Sequence, residues 1–355
     1  MTNGDYLIVG QGVAGSVLAW TLDQMGCRVF LADAPEQPAA SRVAAGIVNP
    51  LTGRKLVRTW RADDLFPFLH RFYTQVEAKL SASFFHPRSV YRPYRSLAEK
   101  NDYETYTADP DVARYVNQSP DNQFFAPYIT NSFGGLEVTQ AGWLDLNRFV
   151  DSIRAYFAEK EQFISAFINS NELIINGSSI NFDGCQFKKV IFCDGVMARE
   201  NPLFAWLPYN PAKGQVLTAR VLNYPIKHIV NQGAFILPID DTTIKIGATY
   251  SWHDLDWQTT TDGRAFLEAK IRDLLRVPYE VIGQSAGIRP ATKDRRPFVG
   301  LHPAYPSVGI FGGLGSKGVS LAPYLARQFA QFLLKGEELD PEVNIQRCLS
   351  LYYRT

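Results

Sequence analysis

Three glycines and one carboxylate near the start of the chain have the spacing to hold a dinucleotide. Gly10, Gly12 and Gly15 follow the apolar run Tyr6-Leu-Ile-Val9, and Asp33 closes a second apolar run, Val29-Phe-Leu-Ala32. Gly10, without a Cβ, permits a tight turn out of a buried strand; Gly12 lets the backbone approach a pyrophosphate, and Gly15 lets the following helix pack closely. The amides of Val13 and Ala14 open that helix and turn its partial positive charge on the phosphates. Asp33 stands where a carboxylate accepts hydrogen bonds from a ribose 2′-hydroxyl, and an arginine there would instead indicate a 2′-phosphate.

A second glycine loop lies near the far end, Gly312-Gly313-Leu-Gly315-Ser316-Lys317-Gly318-Val319. The pattern predicts a helix after it, with Pro323 in the first turn, Leu325, Phe329, Phe332 and Leu333 as its buried stripe, and Gly336 ending it. An ordinary loop and C-terminal helix is one reading. The other is a flavin site, because a reduced flavin gathers negative charge at N1 and the C2 carbonyl, and amides at a helix start would stabilise it. A nicotinamide needs no such second site.

The elements between these loops must position them. Ser41-Arg42-Val-Ala44-Ala45-Gly46-Ile47-Val-Asn-Pro50 is too poor in bulky residues for a core element and suits a large flat group lying on the backbone. Residues 60–80 and 144–157 carry apolar residues at helical spacing, with Asp145 a candidate N-cap for the second. Val190-Ile-Phe-Cys-Asp-Gly195 has the form of a parallel strand running up to a cofactor and ending at Gly195. Strands are expected near 172–176 and at 215–221, 234–238 and 243–247, and a helix over 266–275. Residues 84–140 are aromatic, strand-like and irregular, and suggest a separate layer.

At 355 residues and 46% hydrophobic content, two domains are the expectation. Lys plus Arg (36) nearly cancel Asp plus Glu (35), which leaves no overall electrostatic footprint for nucleic acid, although a local patch stays open. Cys27, Cys185, Cys193 and Cys348 are scattered without metal-ligand spacing and read as reduced thiols of a cytoplasmic protein. The five histidines show no ligand spacing either, so no metal is expected. No leader precedes Tyr6, and no apolar run approaches the roughly 20 residues of a membrane helix.

The N-terminal fingerprint with Ser41 to Pro50, the segment Phe235-Ile-Leu-Pro-Ile to Ile246-Gly-Ala-Thr-Tyr250, and Ala286-Gly-Ile-Arg289-Pro to Gly300 with Gly312 to Pro323 together resemble the D-amino acid oxidase (DAO) superfamily of FAD-dependent amine oxidases. Glycine and sarcosine oxidases are most similar in the Arg-Pro block. Lys213-Gly-Gln-Val, Gly247 to Asp256 and Gly313 to Gly318 look more like the oxidoreductase half of the bifunctional enzyme that modifies the tRNA wobble uridine. The resemblance implies an α/β, Rossmann-like, doubly wound FAD-binding domain of residues 1–83, 141–212 and 285–355. An α+β substrate domain with an antiparallel sheet, residues 84–140 and 213–284, would pack against it.

The implied reaction is oxidation of a C–N bond of a small amine or amino acid, by hydride transfer to flavin N5 and reoxidation by oxygen or another acceptor. The alternative substrate is a carboxymethylaminomethyl group of tRNA. Gly10, Gly12, Val13, Ala14, Gly15, Asp33, Ser41, Arg42, Ala44, Ala45, Gly46, Ile47, Gly195, Gly313, Gly315, Ser316, Lys317, Gly318 and Val319 would hold FAD. Gly287, where sarcosine oxidase has the cysteine that attaches its flavin, implies non-covalent binding. Arg289 matches the arginine that grips the substrate carboxylate in glycine oxidase; the competing role is a structural one, paired with Asp294 or a backbone carbonyl. Lys245 matches the oxygen-activating lysine of sarcosine oxidase, and strand alternation turns it either to the flavin cavity or to water. Phe235 and Ser316 replace a tyrosine and a second arginine of glycine oxidase, so Tyr250 either supplies the missing hydroxyl or is an aromatic core residue. The oligomeric state is left open.

Overall fold

The computed structural model describes residues 3–34, 36–177 and 179–354. The strand Asn3–Val9 lies at the centre of the larger layer because it is apolar on both faces. It pairs in parallel with Val29–Asp33 on one side and Cys185–Phe192 on the other. Phe163–Ser165 extends the sheet beyond Val29–Asp33, and Val308–Gly312 extends it beyond Cys185–Phe192, both in parallel. Phe298–Leu301, Ser179–Phe182 and Ile174–Asn176 add antiparallel strands, so the sheet is mixed. Alternation along the central strand divides two cores. Tyr6 and Ile8 pack with the helices, while Leu7 and Val9 pack with Phe187, Phe192, Phe204 and Ile345 on the opposite face.

Four helices, Val13–Gln24, Ala62–Leu80, Leu146–Glu159 and Gly318–Lys335, share the first of these cores. Asp145 caps the third, its side chain accepting from the Arg148 amide. The expected position of Pro323 is corrected: the last helix begins at Gly318, so Pro323 lies inside it. A proline there leaves the carbonyl of Val319, four residues earlier, without its helical donor. The hydroxyl of fully buried Tyr73 donates to that carbonyl at 2.9 Å, which joins two helices at the break.

The second large sheet runs in the order Tyr279–Arg289, Ala212–Val221, Thr243–Gly247, Phe235–Pro238, Ile229–Asn231, Val90–Pro93, Gly135–Val138, Val116–Asn117. It is antiparallel except where Ile229–Asn231 runs parallel to Val90–Pro93. Residues 84–140 therefore do not form a layer of their own. They complete this sheet and also contain the helix Leu97–Tyr106, capped by Ser96, which the irregular pattern concealed. Helix Thr261–Arg272, rather than 266–275, covers one face, where Ile244, Ile246, Leu267 and Ile271 are buried. The other face, with Ile229, Leu237 and Val138, joins the helical core of the first layer. Ile47–Val48, Gly142–Leu144 and Phe85–Pro87 make a small antiparallel sheet between the two. No described helix is long and apolar enough to cross a membrane. Cys193 and Cys348 are buried, Cys27 and Cys185 half-buried, and all four are free thiols.

Replacing Tyr73 by Phe should leave the Val319 carbonyl buried and unpaired, at a cost of about 1–3 kcal/mol. A urea midpoint lowered at unchanged slope is the expected result; an unchanged midpoint would show that the break needs no donor.

Candidate FAD and substrate site

A cleft of about 790 Å³ is lined by the first glycine turn, residues 39–41 and 43–47, the exit of the strand Cys185–Phe192, the strand end at Arg289, and the loop 312–319. That size lies within the range of roughly 300–1,000 Å³ usual for ligand sites. Two long helices that begin at the cleft, Val13–Gln24 and Gly318–Lys335, receive no cap from their own N-cap residues, Gly12 and Lys317, and have no acid in the first turn. The helices after Ser96, Asp145 and Thr260 are capped by those side chains, and the second of them also starts at the cleft wall, where Leu146 lines it; Ala62–Leu80 has no side-chain cap but two acids in its first turn. Apart from the Val13 amide, which Ser41 Oγ meets, the first-turn amides of Val13–Gln24 and Gly318–Lys335 keep their positive partial charge for an anionic guest. The two starts also meet, since a Cβ on Gly318 would stand 2.9 Å from Val13 Cγ1.

The first turn has no room for side chains. Gly10 takes φ +97°, and a Cβ there would stand 2.7 Å from the Cys193 carbonyl oxygen; one on Gly15 would stand 1.9 Å from the Gly10 carbonyl oxygen. Gly15 thus shapes the turn from beneath without lining the cleft. Ser41 Oγ accepts from the Val13 amide at 3.0 Å, which ties residues 40–47 to the turn. Asp33 accepts from the Gln11 amide at 3.0 Å and pairs with Arg154 at 3.2 Å. Arg154 also donates to Gln11 Oε1 at 2.7 Å, while Gln11 Nε2 donates to the Val150 carbonyl at 2.7 Å. Gln11 and Arg154 were not anticipated from the sequence, because only the folded chain brings helix Leu146–Glu159 to the turn.

Val13, Ala14, Ala44, Ala45, Gly46, Ile47 and Gly195 line the cleft. Arg42 does not: its guanidinium turns outward to Asp151 at 2.7 Å. In the second loop, Gly313 and Gly315 take φ of +69° and +55°, and the Gly315 amide donates to the Pro290 carbonyl at 3.1 Å. Ser316, Lys317, Gly318 and Val319 complete the lining. Lys317 Nζ donates to Thr59 Oγ1 at 3.1 Å and has no carboxylate partner among the described residues. Burial, with Arg296 and Arg295 nearby, lowers its pKa.

Arg289 also lines the cleft without an acid partner among the described residues. Its guanidinium donates to the carbonyls of Lys213 at 3.2 Å and Thr249 at 3.1 Å, and burial pulls its pKa down. Asp294 is bound instead to Arg347 at 2.9 Å. The guanidinium rests on the bare face of Gly214, where a Cβ would stand 2.2 Å from Nη2. Tyr250 is no core residue: 52% exposed, it holds its ring 4.8 Å from the Arg289 guanidinium and touches Trp252. It does not line the cleft. Lys245 is paired across the sheet with Leu237, which faces the first layer's core, so the lysine points there and not to open water. It is half-buried and its pKa is lowered by burial, against the pull of Asp145. The neighbouring pair Phe235 and Gly247 stands closer to the cleft, and of these three only Phe235 lines it. Gly287 also lines the cleft, with no sulfur at that position.

The turn, the carboxylate at the second strand and the two glycine-flanked helix starts fit a flavin dinucleotide, and the family comparison agrees. The chain belongs to the DAO family of FAD dependent oxidoreductases, whose model matches residues 5–332. It is 23% identical to a glycine oxidase of Pseudomonas aeruginosa, over 94% of this chain and 96% of that protein. It is 25% identical to the tRNA 5-methylaminomethyl-2-thiouridine biosynthesis bifunctional protein MnmC of Aromatoleum aromaticum, over 95% of this chain but 58% of that protein. The fold matches that of glycine oxidase from Geobacillus kaustophilus with a TM-score of 0.77 at 19% identity, covering 96% of each chain. The protein is an FAD-dependent oxidoreductase homologous to amino acid oxidases.

Removing the Asp33 carboxylate frees both the Gln11 amide and Arg154. Asp33→Ala should weaken FAD binding about tenfold or more, the equivalent of one charge-assisted hydrogen bond. Titration of apoprotein with FAD would check this, and unaltered affinity would remove the ribose contact.

Proposed function

We propose that this flavoprotein oxidises the C–N bond of a small amine or amino acid that carries a carboxylate, with Arg289 holding that carboxylate. The observation behind this reading is a half-buried guanidinium, bonded to two carbonyls and lying in the cleft with no acid partner among the described residues. Buried charge is costly unless paired, so the site favours an anionic guest. A planar guanidinium gives such a carboxylate two parallel hydrogen bonds and fixes the substrate carbon. FAD, when bound, supplies the acceptor for the substrate's electrons. The protein's own part is to bind, orient and exclude water.

In this reading Gly10 to Gly15, Asp33, Ser41 to Ile47 and Gly195 hold the dinucleotide. Gly313 to Val319, with the Lys317 ammonium, face the flavin, which is held without a covalent link. The FAD-binding body is residues 1–83, 141–212 and 285–355, and the substrate body is 84–140 and 213–284. The strand Tyr279–Arg289 crosses that boundary, which is why Arg289 can serve both. Lys245 acts on the oxygen side, through its charge and not by contact with substrate.

One observation favours a second substrate, the carboxymethylaminomethyl group of a tRNA uridine. Tyr250 and Trp252, 52% and 56% exposed, are in ring contact beside Arg289 and offer a surface on which a base can stack. A panel of amines, amino acids and tRNA carrying that group, monitored for flavin bleaching and peroxide, tests both readings. Bleaching by none of them would reject both.

Arg289→Ala should raise KM for a carboxylate substrate about tenfold or more, and Gly214→Ala should do the same by displacing the guanidinium. An unchanged KM in Arg289→Ala would refute the clamp. Lys245→Met should slow reoxidation of the reduced enzyme by oxygen while sparing its reduction by substrate; equal reoxidation rates would end its assignment.

A further inference from the structure

Asp194 follows the strand Cys185–Phe192 and lines the same cleft as the phosphate turn. Its backbone abuts the first glycine: a Cβ on Gly10 would stand 3.1 Å from the Asp194 amide nitrogen. Asp33, in the same cleft, shares its charge with Arg154. Asp194 has no such cation. Its one side-chain donor is Asn201 Nδ2 at 3.3 Å, and no lysine, arginine or histidine pairs with it among the described residues.

The groups packed around it do not compensate. The thiol of Cys193 is buried beside it. Tyr209, on the next segment, carries a buried hydroxyl without a partner among the described residues, 3.2 Å from where a Cβ on Gly312 would stand. Glu200, from the turn that follows, adds a third acid to the lining beside Asp33 and Asp194, and the phosphate turn contributes Gln11 and amides. Burial pushes the Asp194 carboxyl up to about 6, against the hydrogen bond from Asn201.

A pyrophosphate bound at the turn brings further negative charge into a cleft that already holds this acid. Like charges sharing a site disfavour ionisation of the weaker acid. We propose that FAD binding is coupled to proton uptake by Asp194, so that the cleft holds its cofactor more weakly as pH rises. This rests on the assignment of the turn to the FAD pyrophosphate. The sign follows from linkage: bound FAD raises the carboxyl's pKa above its value in the apoprotein. Below the apoprotein value Asp194 is protonated in both states and affinity is flat. Above it, binding takes up a proton and affinity falls, by at most tenfold per pH unit for one group.

FAD titrations of apoprotein at a series of pH values, with calorimetry in buffers of different ionisation enthalpy, test the coupling. For the native chain, Kd should be flat below about pH 6 and rise above it, with uptake approaching one proton per FAD. Asp194→Asn keeps the shape and the Asn201 neighbour; its Kd should lose that rise and be at least tenfold lower than the native value at about pH 8. An equal slope in native and Asp194→Asn proteins would overturn the proposal, as would the absence of proton uptake in the native protein. The native measurement decides the matter even if the variant fails to fold. Failure to bind FAD at any pH would overturn the proposal together with the reading it rests on, whereas pH-independent binding overturns the proposal alone.

Discussion

Positive charge left unsatisfied at one cleft is the feature on which the rest of this structure depends. Two long helices start there without a cap from their own N-cap side chains, and a guanidinium and an ammonium lie in its wall without an acid partner among the described residues. Charge held half-buried without an opposite charge costs free energy unless a guest meets it. Together these groups define a negatively charged guest of extended shape, phosphates at one end and electron-rich groups at the other. The fold serves this arrangement by bringing residues from both ends of the chain to one place, with Gly318 seated on Val13.

Glycines make the approach possible at three points with different reasons. Gly10 and Gly15 let the first turn close on itself, and Gly214 leaves the space that the Arg289 guanidinium fills. The break at Pro323 is the counterpart at the second loop. It frees the Val319 carbonyl just inside the helix that begins at the cleft, and Tyr73 restores the lost bond from a different helix. Packing there fixes the direction of the helix start, so a residue well outside the cleft helps aim it.

Much of this was legible in the sequence because the signals are local. Glycine spacing, apolar runs and Asp33 mark the βαβ unit within 35 residues, and the Gly312 to Gly318 loop with Gly336 delimits the last helix. Asp145 was readable as a cap for the same reason. What escaped was long-range. Arg154 reaches the turn only through helix packing, Gly214 matters because a residue 75 positions later lies on it, and the outward turn of Arg42 depends on Asp151. Within residues 84–140 the individual elements were hard to read because their short strands pair with another segment's sheet, and helix Leu97–Tyr106 is too polar to show a buried stripe. Asp194 is marked in the sequence by a carboxylate at the exit of a strand whose last three residues, Val190-Ile-Phe192, are apolar and buried.

The account stands or falls on whether the cleft holds a flavin dinucleotide at both ends. Purified protein, stripped of cofactor and reconstituted, should take up one FAD per chain, show the visible flavin band and release the FAD intact on denaturation. A colourless protein that takes up no FAD on reconstitution would contradict it.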